Sequence, residues 1–122
     1  GKIEARNKTF EAGQILENAG ITFGLITDAP FVPIEGQLLQ AALYVKNGLS
    51  REMALKCLTI NNAIITDIDS RVGSLEPGKD ADVVIWDVEP LATLSQAGIV
   101  IIDGQFAYRR KAGESNVDYQ KL

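Results

Sequence analysis

The apolar pattern of this chain changes period partway along, and that change dictates its layout. Up to about Thr66 the spacing is helical. Ala12, Ile15, Leu16 and Ala19 fall at i, i+3, i+4 and i+7, one face of a helix. Thr9 is its N-cap candidate, Glu11 suits the first turn, and Gly20 is a stop. A second helix is expected from about Gln37 to Asn47, with Leu38, Ala41, Ala42 and Val45 on one side and Gly48 ending it. Ser50 caps a third, with Glu52 in its first turn. Leu55, Leu58 and Asn62 share one side, Ala54 and Ile65 extend it, and the helix fades near Thr66. From Asp67 onward the texture is that of strands. Val83–Trp86 and Ile99–Ile102 are apolar, β-rich runs. Asp103-Gly104 tolerates positive φ at both positions, so a hairpin of 98–102 and 105–110 is expected around it.

One segment in the first half breaks the helical pattern. Ile21–Ile26 is apolar on both faces apart from Thr22, as a parallel strand covered on both sides would be. It ends in Thr27-Asp28-Ala29-Pro30, followed by a loop with Pro33 and Gly36. The order is helix, strand, helix, helix and a small sheet. That is the end of an α/β unit followed by a separate β layer. Asp28 sits at the carboxyl end of the strand, where α/β proteins and barrels place ligands and catalytic groups. A carboxylate there can bind a metal or take a proton from an activated water. A plain turn made with Pro30 accounts for Asp28 equally well.

Residue counts then remove whole classes of chemistry. The 122 residues include no histidine and one cysteine. That excludes, within this chain, a Ser-His-Asp triad, a His-paired cysteine, a histidine-ligated zinc site and an internal disulfide. Cys57 is expected to be a small core hydrophobe. A content of 46% apolar and 23% charged residues is that of an ordinary globular domain, or two small ones. A net charge of −4 argues against nucleic acid as a partner. No run approaches the ~20 apolar residues of a membrane span. No secretory leader opens the chain, so a cytoplasmic location is expected. Asn7-Lys8-Thr9 spells a glycosylation acceptor but reads as a helix start, and Ala112–Leu122 reads as a polar tail. Gly73-Ser74-Leu75-Glu76-Pro77-Gly78-Lys79 has the letters of a phosphate loop. Asp80 follows where Ser or Thr is needed, a helix precedes, a strand follows, and Glu76 has the wrong charge. The expected reading is a turn feeding the Val83 strand.

Several stretches together resemble one family. They are Thr27-Asp28-Ala29-Pro30, Gly48-Leu49-Ser50 before Ala54-Leu55, Leu58-Thr59-Ile60-Asn61-Asn62-Ala63, the run Arg71 to Trp86, and Asp103-Gly104-Gln105. They are similar to the C-terminal part of metal-dependent amidohydrolases, nearest to the imidazolonepropionase-related branch, over roughly Lys2 to Tyr108. The resemblance implies an α/β fold: the C-terminal fragment of a (β/α)8 TIM barrel plus part of a small β-sandwich. Residues 1–66 would be the last helix-strand-helix segment of the barrel and the following helix. Residues 67–122 would be the C-terminal part of the sandwich. Asp28 matches the family's last-strand aspartate, a metal ligand and proton acceptor; where many relatives have His next, this chain has Ala29.

The intact enzyme implied is a hydrolase of C–N bonds in a cyclic amide, amidine or peptide-like small molecule, using water activated by a divalent metal, zinc or iron. The histidine ligands would lie on earlier strands, so this chain alone is expected to hold no metal and to be inactive. Self-association or a homo-oligomer is expected through Ile21–Ile26, and no membrane or nucleic acid partner. A non-catalytic α+β interaction or oligomerisation module that keeps the family's tail is the second class left open.

Overall fold

The computed structural model describes residues 9–92 and 95–111. Asn7-Lys8 and the stretch Ala112–Leu122 lie outside the described residues. The elements are α1 (Ala12–Asn18), a 3₁₀ turn (Ile34–Gly36), α2 (Gln37–Lys46), α3 (Arg51–Leu58), α4 (Ile60–Ile65), β1 (Val83–Trp86), β2 (Ala97–Ile102) and β3 (Gln105–Arg109). Helices therefore precede Thr66 and strands follow Asp82, as the change of period implies.

Local chemistry explains most boundaries. Thr9 serves the turn ahead of α1 rather than the helix itself: its Oγ1 accepts from the Glu11 N–H at 3.2 Å, while α1 starts at Ala12. Gly13 is buried because a Cβ there would lie 2.8 Å from Tyr44 Cδ1, and Phe10 meets Tyr44 edge-on at 5.2 Å. Gly48, at φ 104°, stops α2. Ser50 caps α3, its hydroxyl accepting from the Met53 N–H at 3.1 Å.

The expected single helix from Ser50 to Thr66 is two helices. Thr59 Oγ1 donates to the Leu55 carbonyl at 2.8 Å, which is the acceptor that the Thr59 N–H would use in a continuous α-helix. The Thr59 N–H turns to Lys56 O instead, and the backbone breaks at φ −130°, ψ −100°.

A second correction concerns Ile21–Ile26, which is neither a strand nor covered on both sides. Residues 21–27 lie outside any helix or ladder. Burial nonetheless alternates at its end: Leu25 and Thr27 are buried, while Ile26 is 67% exposed. A strand is defined by a neighbour, and among the described residues no other strand runs beside it.

The β texture expected from Asp67 begins only at Val83. Residues 66–82 are turns held by Ile68 N–H to Ala63 O at 2.9 Å and Asp80 N–H to Arg71 O at 2.8 Å. The three strands form an antiparallel meander in the order β1-β2-β3. Asp103 and Gly104, at φ 50° and 73°, make the expected tight hairpin turn. Their N–H groups donate to Asp82 Oδ1 and Ala81 O, tying the turn to the entry of β1.

The core belongs to the helical layer. It consists of Leu25, Ala41 of α2, Leu49, Ala54 and Cys57 of α3, and Leu91. Ala41, Ala54 and Cys57 are small and fully buried, so α2 and α3 pack closely. Every strand residue is half-buried or exposed.

Candidate active site

Asp28 follows the buried Thr27 and has a left-handed backbone, φ 54°, which an aspartate tolerates better than most residues. Its carbonyl accepts from the Phe31 N–H at 3.0 Å, so it does form the turn its neighbours suggest. Its side chain is exposed, and no hydrogen bond to either carboxylate oxygen is present among the described residues. Turn and presented carboxylate are thus the same structure.

The backbone leading to Asp28 is held without a ladder. Asn61 Nδ2 donates to Phe23 O at 2.9 Å. Asn62 Nδ2 and Gln37 Nε2 both donate to Leu25 O, at 3.1 and 3.2 Å. The Leu25 N–H donates to Cys57 O at 3.1 Å. Side-chain amides from α2 and α4 and one carbonyl from α3 therefore take the role of a paired strand. Periodicity does not reveal Gln37 and Asn61 in this role. Two signals do exist: adjacent asparagines inside a helical pattern, where Asn is a poor helix former, and a glycine inside an apolar run, which marks close approach.

The other sequence candidates stay apart from Asp28. Cys57 is fully buried, and burial pushes its thiol up, away from the thiolate a nucleophile needs. The phosphate-loop letters form a turn closed on itself. Lys79 Nζ donates to Ser74 Oγ at 2.6 Å, Ser74 Oγ donates to Glu76 Oε1 at 2.5 Å, and Arg71 pairs with Asp80. A cavity of about 870 Å³ lies between the helices and β1, lined by Leu38, Leu55, Ile65, Val72, Val84 and Trp86 among others. Ile26 reaches it and Asp28 does not.

Among the described residues no three His, Cys, Asp or Glu side chains converge to hold a metal. Asp28 offers one carboxylate, a suitable hard donor, and the chain has no histidine to join it. These residues do not form a metal site by themselves.

Known proteins match this chain over most of its length. The Thermotoga maritima amidohydrolase structure superposes with a TM-score of 0.84 at 39% identity, over 89% of this chain and 28% of that one. Amidohydrolase tasK of Hapsidospora irregularis is 34% identical over 103 residues, which is 84% of this chain and 10% of that protein. An imidazolonepropionase of Shewanella baltica is 35% identical over 86 residues, 66% of this chain and 21% of that protein. The chain thus spans between a tenth and about a quarter of the length of these relatives. The model of the amidohydrolase family matches residues 4–113, and the chain belongs to that family.

Proposed function

We propose that this chain is the C-terminal portion of a metal-dependent hydrolase of C–N bonds and that Asp28 is its catalytic carboxylate. The observation that carries the reading is the exposed carboxylate of Asp28, set at the end of a backbone segment held by four hydrogen bonds, in a chain of the amidohydrolase family. On this reading residues 1–66 complete a barrel and residues 67–122 contribute to a β-sandwich beside it. The substrate class is a cyclic amide, amidine or peptide-like small molecule, and the setting is cytoplasmic. Among the described residues no helix is long and apolar enough to cross a membrane.

A bound zinc or iron would supply Lewis-acid polarisation of the scissile group and of water. Asp28 would give it one oxygen, and its histidine ligands would come from outside residues 1–122. The chain's own part is proton handling. Asp28 accepts a proton from the attacking water and returns it to the leaving nitrogen. The carboxylate oxygen not given to the metal can serve both steps, provided its backbone does not wander.

The test is release of ammonia or amine from a panel of lactams, amidines and N-acyl amino acids, with zinc or iron added. The 122-residue chain should show no turnover. The same chain extended by its upstream coding sequence should turn over, and Asp28→Asn should lower that rate by about 10²–10⁴-fold. Turnover by the short chain, or full activity in the Asn variant, contradicts the proposal. An extended protein that folds and turns over nothing favours the interaction module.

A further inference from the structure

We infer that Asn61 and Asn62, with Gly24 opposite them, are positioning residues for Asp28. Their side-chain amides replace a neighbouring strand along Phe23–Leu25 and so set where the Asp28 carboxylate stands. For its meaning in catalysis this clamp rests on Asp28 being the catalytic carboxylate; the clamp itself is a property of this chain alone.

In an extended segment, the N–H and C=O groups of alternate residues point to the same side. Phe23 turns its C=O toward the helices and Leu25 both its N–H and its C=O, and three side-chain amides and the Cys57 carbonyl meet these groups. The break at Thr59 restarts the helix at Ile60, so Asn61 and Asn62 fall in the first turn of α4. Neighbouring helical residues diverge by about 100°. That divergence lets two adjacent amides reach carbonyls two residues apart. Asn61 is 8% exposed, and a buried amide is costly unless it is bonded, which keeps it on Phe23 O.

Gly24 is the other half of the device. A Cβ on it would fall 1.7 Å from Asn62 Oδ1 and 2.9 Å from Asn62 Cγ. The Asn62 amide occupies the space a side chain at residue 24 would need. Asp28 lies three residues beyond Leu25, on the order of 10 Å of chain, and the buried Thr27 pins the intervening stretch. Misplacing a reacting group by about 1 Å can cost about 10² in rate, so four bonds this near the carboxylate matter out of proportion to their energy.

The test uses the 122-residue chain and NMR, with the Asp28 carboxyl carbon and the Thr27 and Leu25 amides as reporters. The variants are Asn62→Leu, which removes the donor, and Gly24→Ala, which keeps the amide and displaces it. Their double variant and Ser50→Ala complete the set; Ser50→Ala weakens the N-cap of α3, at the opposite end of that helix from Cys57. Asn62→Leu and Gly24→Ala should shift or broaden the Asp28 and Thr27 signals alike. Leu25 amide protection should fall about fivefold or more, the worth of one hydrogen bond. The double variant should be no worse than the worse single one, because both act on the same contact. Protection at Ala54 should hold in the Asn62 and Gly24 variants.

Ser50→Ala should lower overall stability and leave Asp28 unmoved, which a merely structural role for Asn62 does not predict. If Asn62→Leu fails to fold, Gly24→Ala alone carries the reading. Unchanged Asp28 signals in the folded variants, or equal movement in Ser50→Ala, overturn it. A clamp confirmed this way beside a fully active Asp28→Asn enzyme would refute the role of Asp28 and leave the clamp standing.

Discussion

Substituting alanine at Gly73 and at Gly78 separates two costs that a glycine can hide. Both residues are left-handed, at φ 92° and 94°. An L side chain there costs roughly 1–2 kcal/mol. Alanine also restricts the unfolded chain, which returns about 0.4–1 kcal/mol. Nothing lies within 4 Å of a Cβ on Gly78, so Gly78→Ala should lose only the difference, about 1 kcal/mol. A Cβ on Gly73 would meet Ala63 Cβ at 2.8 Å and the Ile60 Cα at 2.9 Å. Neither is the loose end of a flexible side chain, so α4 or the turn must shift. Overpacking of this kind costs about 1–3 kcal/mol more. Urea unfolding is the assay. With a slope of about 1–3 kcal/mol/M for a small protein, the Gly73→Ala midpoint should fall below that of Gly78→Ala by roughly 1 M, with unchanged slope. Inorganic phosphate or ATP should move neither midpoint, because this run packs on α4 rather than cradling an anion. Coincident midpoints for the two variants would refute the packing argument.

Other outcomes follow from the same structure. The Ser50 hydroxyl and N–H hold the Glu17 carboxyl below the usual carboxylate range. A depressed pKa contributes stability above the unfolded value and loses it as pH falls through the folded one. The urea midpoint of the wild type should therefore exceed that of Glu17→Gln at about pH 7, and the gap should close toward about pH 3; a gap that widens in acid contradicts this. Equilibrium dialysis should show zinc bound no better than by a surface carboxylate, and unchanged in Asp28→Asn. A tight stoichiometric site lost in that variant would overturn the reading of the donor set. The exposed Ile21 and Ile26, in a segment that pairs with no strand among the described residues, should make the chain associate at micromolar concentration. Light scattering from a clean monomer, with that segment open to hydrogen exchange, would refute it.

Features written in neighbouring residues were legible without coordinates. Ser50 caps α3, Gly48 ends α2 and Asp103-Gly104 turns the hairpin, because each effect acts within a few positions of its cause. The Thr59 break was hidden, since a hydroxyl taking its own helix's carbonyl leaves the apolar spacing untouched. Ile21–Ile26 misled for a different reason. Its composition is that of a covered strand, but a ladder requires a second strand, and the groups that meet it are side chains. Asp28 could be singled out from its place after an apolar run. The Asn61-Asn62 pair and Gly24 are unusual enough to notice, but their partners are not readable: Gln37 lies 12 residues from Leu25, and Asn61 lies 38 from Phe23. No local rule links residues so far apart.

The most direct measurement places Asp28 in a complete enzyme of the same fold. Residues 9–111 of this chain would replace the matching stretch of the Thermotoga maritima amidohydrolase, on which the chain superposes over 89% of its length at a TM-score of 0.84. Hydrolysis of that enzyme's substrate and bound metal would be measured with Asp or Asn at position 28, each checked for equal thermal unfolding. Activity with Asp28 that falls by about 10²–10⁴-fold with Asn is the predicted result. A folded, active chimera that works equally well with Asn at this position would contradict it.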